Sequence, residues 1–316
     1  MAAVGARRRW FRLIGIACVV CAVVVAPSLE RAFACPGRPV GSQSIERATV
    51  TWYRPSADVA AWWTVRRLGI AASDRDVHAD LVDADMASLS DAWEGPEGSA
   101  VESEGGVLPQ AGIFLFVDKS GGMASCSGAV VESPWGNRVL TAAHCFDWAA
   151  GAVAFVPDYH DGQAPYGVWP VRAVAVDSRY GSAPAGDLAV AEVADVDGRR
   201  LADVVGALPL ADEVELTTQR LVMAGYPALT REPRLCAAST TAWREADDEF
   251  LHMECADMPS GVSGGPWVSM DEGGEAALVG VTGGAQDGGG YSAAESVAVP
   301  VDDDVRGLVA ADFWIS

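Results

Sequence analysis

From Gly106 onward the chain is a series of short apolar runs broken by glycine and proline. Ile113–Val117, Cys126–Glu132, Arg138–Thr141, Val168–Val176, Leu188–Val193, Leu221–Gly225, Leu278–Thr282 and Ser296–Val301 each have the length and β-branched content of a strand. Many short strands at such spacing predict an all-β barrel or sandwich. The pattern changes at the end of the chain. Asp302, Asp303 and Asp304 suit the positive end of a helix, and Val305, Leu308, Val309 and Phe313 continue as an apolar stripe. Residues 35–105 have a different texture, with Trp52, Trp62, Trp63 and Trp93 clustered beside a run of acids from Asp74 to Asp91. Val77, Leu81, Val82, Met86 and Leu89 recur at near-helical spacing and predict one short amphipathic helix. Glu94–Ser99 then reads as a linker by composition.

The N-terminus reads as a signal peptide over residues 1–34. Arg7, Arg8, Arg9 and Arg12 precede an apolar run of 14 residues, Leu13–Ala26, and Ala32-Phe33-Ala34 offers small residues for cleavage. A membrane span needs about 20 apolar residues, so export rather than anchoring is expected. Cys35 follows the cut, where a lipidated cysteine would stand. Ala32 and Phe33 make a poor lipobox, which sets lipid anchoring below free secretion. Outside the cytosol, Cys126, Cys145, Cys236 and Cys255 can persist as disulfides. The formal charge of −21 includes five arginines and one glutamate in the first 34 residues, so their removal leaves −25. Such a surface repels nucleic acid and anionic membranes. Asp80, Asp83 and Asp85 lack the glycine and spacing of a calcium loop and read as a solvated helix face. Neither metal nor cofactor is expected.

Three segments carry chemistry: Thr141-Ala142-Ala143-His144-Cys145, Gly186-Asp187-Leu188-Ala189-Val190, and Gly261-Val262-Ser263-Gly264-Gly265-Pro266. A serine hydroxyl is a poor nucleophile unless a base takes its proton. Histidine can be that base when a carboxylate fixes its tautomer and stabilises the imidazolium. His144 alone among the four histidines follows an apolar strand and precedes a cysteine. Asp177 and Asp195 flank Asp187, but only Asp187 leads directly into a strand. Ser263 has Gly-Gly-Pro after it, which the nearby Ser260 lacks. The order His, Asp, Ser differs from the subtilisin and α/β-hydrolase orders.

These motifs resemble the chymotrypsin-like (trypsin-fold) serine proteases, in particular their secreted bacterial members, over roughly residues 106–316. The resemblance implies two six-stranded antiparallel β-barrels with a C-terminal helix. It implies His144 as general base, Asp187 as its partner, Ser263 as nucleophile, and the amides of Gly261 and Ser263 as an oxyanion hole. It also implies a Cys126–Cys145 disulfide, with Cys236–Cys255 as the second pair. Departures are informative. Animal trypsins carry an aspartate before the nucleophile, which pairs with a newly cut N-terminus; here that residue is Val262, which cannot hold a buried ammonium. Residues 76–118 contain no lysine or arginine for a tryptic activation cut. Asp257 stands where trypsins place the anion that binds Arg or Lys side chains, with Thr282, Gly283 and Gly284 on the other wall of the pocket. However, Pro259 replaces the cysteine that closes that pocket.

The expected function is secreted hydrolysis of peptide bonds by a monomer through an acyl-enzyme. The alternative is a catalytically silent binding protein on the same fold. Residues 35–105 read as a zymogen propeptide, cut near Glu102, Glu104 or Gly105-Gly106, or as an accessory extension.

Overall fold

The computed structural model describes residues 39–45, 48–53, 57–66, 89–98, 100–102, 106, 108–271, 273–284 and 294–314. The expected signal peptide, Cys35, His78, the acids at 80–85 and most of the expected helix over 77–89 lie outside the described residues. No helix among the described residues is long and apolar enough to cross a membrane.

The N-terminal segment supplies two strands, β1 (Pro39–Ile45) and β2 (Ala48–Tyr53), a helix α1 (Ala57–Arg66), and a short strand β3 (Val101–Glu102). Six strands follow: β4 (Ala111–Asp118), β5 (Met123–Val130), β6 (Arg138–Thr141), β7 (Ala149–Pro157), β8 (Trp169–Asp177) and β9 (Ala189–Val193). They pair in the cyclic order β4-β5-β6-β9-β8-β7, all antiparallel, and close a barrel. Phe114, Phe116, Val139, Phe155 and Val171 fill its interior. β2 pairs with β8 on the outside of that ring.

β4 is apolar on both faces, and α1 is the reason. Phe114 and Phe116 point into the barrel, whereas Ile113, Leu115 and Val117 face outward with Ala152, Ala154 and Val156 of β7. Val59 and Trp63 of α1 cover that outer patch, and the buried Trp63 Nε1 donates to the Ala152 carbonyl. A strand buried on both faces loses its alternation and reads as a continuous apolar run.

The second half contains β10 (Arg220–Gly225), β11 (Arg234–Ser239), β12 (Thr241–Glu245), β13 (Asp248–Glu254), β14 (Pro266–Met270), β15 (Ala276–Thr282) and β16 (Glu295–Pro300). Together with β3 they form a curled eight-stranded sheet in the order β12-β13-β16-β15-β14-β10-β11-β3. With the closed six-stranded barrel of the first half, this curled half-barrel gives the two-barrel architecture expected from the sequence. The seam between β11 and β13, which show no strand pairing among the described residues, is bridged by Gly98, Ala100 and β3. Gly98 donates to Ala237 O at 3.0 Å, Ala256 donates to Gly98 O at 3.1 Å, and β3 pairs with β11. The Cys236–Cys255 disulfide crosses the same seam.

A helix α3 (Asp303–Ala310) closes the chain, its N-terminus capped by the Asp302 carboxylate accepting from Val305 N at 2.8 Å. Val305, Leu308, Val309 and Phe313 pack into a core shared by both halves. Arg138 and Glu192, both buried, pair at 2.8 Å beneath this tail. Arg138 also donates to the Ala311 carbonyl, and Glu192 accepts from Trp314 Nε1. Burial pushes the Arg138 guanidinium down to about 10, with Glu192 opposing that shift.

Candidate active site

β6 ends at Thr141, and His144 opens a single-turn helix, α2 (His144–Asp147). The disulfide from Cys145 to Cys126 on β5 ties that turn to the barrel wall. Asp187 follows a 3₁₀ turn, Pro184–Gly186, and enters β9, which pairs with β6. Pairing these strands brings the two side chains together. His144 Nδ1 lies 2.8 Å from Asp187 Oδ2, and the His144 amide donates to Oδ1 at 2.9 Å. The Gly284 amide adds a third bond, to Oδ2 at 2.8 Å. Asp187 is only 4% exposed. Burial by itself would raise its carboxyl, but the bond and charge of His144, with the amides of Gly284 and His144, hold it below the ordinary value.

Ser263 is half-buried on a loop between β13 and β14 that is clasped to the first barrel. The Ser127 amide donates to the Ser263 carbonyl at 2.7 Å, and the Gly264 amide donates to Thr282 O at 2.7 Å. Gly264 has a φ of +78° and lies so close to β6 that a Cβ there would stand 2.1 Å from Thr141 Oγ1. Gly261, at φ +107°, approaches Ala228 N so closely that a Cβ would sit 2.3 Å away. These two positions accept no other residue without the loop moving. The Gly261 and Ser263 amides have no protein acceptor among the described residues.

The flanking candidates are engaged elsewhere. Asp177 pairs with Arg179, and Asp195 accepts from Asn137. His160 faces Asp158, and His252 sits against Thr241 and Trp243. Cys126, His144 and Cys145 bring potential ligand atoms within 4.8 Å of one another, but both sulfurs are committed to the disulfide.

A family model, the trypsin-like peptidase domain, matches residues 126–281, a span holding His144, Asp187 and Ser263. This region belongs to the trypsin-like peptidases. Solved structures agree on the fold. A protease, Anisep, from Arthrobacter nicotinovorans superposes with a TM-score of 0.56 at 23% identity, covering 66% of this chain and 96% of that one. A thermostable serine protease, AL20, from an extremophilic microorganism gives 0.55 at 22%, covering 64% and 95%. A Glu endopeptidase in complex with MPD gives 0.52 at 20%, covering 68% and 96%. No protein with a curated description matches the chain.

Within this trypsin-like peptidase domain, the residues read as a substrate pocket have less expected surroundings. Asp257 is exposed, with its backbone in the left-handed region at φ 63°. The Thr282 hydroxyl is buried and accepts from Trp267 Nε1 at 3.0 Å. Gly283 and Gly284 lie against Asp187, where a Cβ at 283 would stand 2.9 Å from Oδ2. Sequence reasoning missed Gly284 as an Asp187 partner and missed Ser127 altogether. A backbone donor leaves no mark in side-chain identity, and Ser127 is signalled only by its place after Cys126.

Proposed function

We propose that this trypsin-like peptidase is a secreted serine endopeptidase acting through an acyl-enzyme. His144 takes the proton of Ser263 Oγ as that oxygen attacks the peptide carbonyl, then returns it to the leaving amine. Asp187 holds the imidazole in the productive tautomer and stabilises its cationic form. The Gly261 and Ser263 amides receive the charge that develops on the carbonyl oxygen. The chemistry requires neither metal nor cofactor. One observation carries this reading: the buried, triply bonded Asp187 faces His144 beside a loop whose two amides have no protein acceptor among the described residues.

The described residues between 39 and 102 serve this enzyme as an accessory part of the fold. They cover the outer face of β4 and β7 and fill the seam of the second sheet, so their loss would expose apolar surface. Glu102, a candidate cut site, is paired in β3 with Arg234. The exposed Asp257 weighs against a basic-residue pocket built on its carboxylate. The two disulfides support an extracytoplasmic site of action. The proposed substrate is a peptide or protein, and the proposed enzyme is a monomer.

The test is hydrolysis of a panel of fluorogenic peptides by the secreted protein, with Ser263→Ala and His144→Ala alongside. Turnover that both variants abolish supports the reading. A well-folded wild type that turns over no peptide favours the silent binding protein.

A further inference from the structure

Val262 offers no charge to anchor the Gly261–Ser263 loop, so other contacts must hold it in shape. The loop's carbonyls make those contacts. Ser260 O accepts from Ala228 N at 2.8 Å, Val262 O from Gly265 N at 2.9 Å, and Ser263 O from Ser127 N at 2.7 Å. The remaining carbonyl, Gly261 O, accepts from the Ser127 hydroxyl at 2.9 Å. That hydroxyl in turn accepts from the Tyr226 amide at 2.8 Å. Ser127 is 0% exposed, so this bond is shielded from solvent. Its own carbonyl accepts from Thr141 Oγ1 at 2.7 Å, which locks it to the strand leading to His144.

We propose that Ser127 is a positioning residue that keeps the oxyanion hole preformed, an inference that rests on the endopeptidase reading. A peptide unit has its carbonyl and its amide on opposite sides. Gly261 O shares its peptide unit with Val262 N, so fixing it toward Ser127 limits rotation of the two flanking peptide planes, which carry the Gly261 and Ser263 amides. The carbonyls of those two planes, Ser260 O and Val262 O, are held by Ala228 N and Gly265 N. The hydroxyl meets both halves of the fold: it belongs to β5 of the barrel, and it bonds Gly261 and Tyr226 of the second half. The loop therefore needs no newly liberated N-terminus. Val262 completes the arrangement by packing, buried, over Gly225.

The experiment compares Ser127→Ala and Ser127→Thr with the wild type, all as secreted full chains. Each is assayed for kcat, KM, thermal midpoint and inhibition by a peptide aldehyde. The aldehyde adds Ser263 Oγ to its carbonyl carbon, and the resulting tetrahedral oxygen calls on the oxyanion hole. Because removing one oxyanion donor outright costs about 10²–10³ in kcat, loosening the loop should cost ~10–100-fold. Ser127→Ala is expected to lose that in kcat and in aldehyde affinity, with KM changed less than about twofold by loss of transition-state binding alone. Ser127→Thr, which keeps the hydroxyl, should recover most of the loss. A folded Ser127→Ala with wild-type kcat overturns the assignment, as does a change in thermal midpoint without one in kcat. If Ser127→Ala does not fold, Ser127→Gly is read by the same criteria. Failure of both to fold overturns the assignment, because Ser127 would then serve the fold and not the loop. A wild type without turnover overturns the endopeptidase reading and this assignment together.

Discussion

The two disulfides offer a matched pair of perturbations. Each joins cysteines 19 residues apart, and all four cysteines are buried. In the chain-entropy treatment, the stabilisation comes from the unfolded chain and depends on loop length alone. A loop of this size gives about 3 kcal/mol at 25 °C for either bond. Replacing either pair by alanine should therefore lower unfolding free energy by nearly the same amount. Activity should separate them. Cys126–Cys145 fixes the turn carrying His144, and a displacement of about 1 Å in a catalytic group can cost 10²-fold. Cys236–Cys255 crosses the seam of the second sheet, where Gly98 already hydrogen-bonds both sides. Urea unfolding and peptide hydrolysis, the latter where each variant is fully folded, measure both effects. The Cys126→Ala/Cys145→Ala variant should lose ~10–100-fold in kcat/KM, while the other pair stays within about threefold. Stability losses differing by more than about 1.5 kcal/mol would refute the entropic argument. Equal activity losses would refute the pinning of His144.

Asp187→Asn should lower kcat by about 10³–10⁴-fold by favouring the wrong imidazole tautomer, as burst-corrected peptide hydrolysis would show. The stability of the wild type relative to this variant should also depend on pH with a definite sign. The folded Asp187 carboxyl lies below its ordinary value, so its stabilisation is full above an unfolded value near 4 and disappears as pH falls through the folded one. The wild-type advantage over Asp187→Asn in urea should therefore shrink below about pH 4, and an advantage that grew on acidification would contradict it. Trp63→Ala should cost about 3–5 kcal/mol, since the ring is buried against the barrel and its Nε1 bonds Ala152. A urea midpoint unchanged by that substitution would show that α1 is not part of the stabilising fold.

Much of this organisation is legible before any coordinates. The apolar runs at Ile113–Val117 and Leu188–Val193 fall within β4 and at β9, and the acid-rich start and apolar stripe of α3 are as expected. Boundaries and ambiguous strands are harder. β7, with the sequence AAGAVAFVP, has no alternation because both faces are buried, inside against Phe114 and outside against Trp63. β1 and β2 sit in a segment whose tryptophans and acids obscure its role, and their pairing with β8 is a long-range event no local pattern announces. In the site, residue types that do chemistry are visible as motifs, whereas the groups that hold them are not. Gly284 acts through its amide, and Ser127 acts from a strand more than a hundred residues away from the loop it bonds. The trypsin-like pocket spacing of Asp257 shows the opposite limit: spacing cannot reveal that the carboxylate lies at the surface.

Ser263 is proposed to be an activated nucleophile in a chain that keeps its N-terminal segment. Labelling the secreted protein with a fluorophosphonate, with Ser263→Ala alongside and intact mass recorded, tests it most directly. One probe per molecule is expected on a chain that retains residues 39–102, and none on Ser263→Ala. A folded wild type that resists the probe, or a Ser263→Ala chain that still takes it up, would rule out Ser263 as the nucleophile.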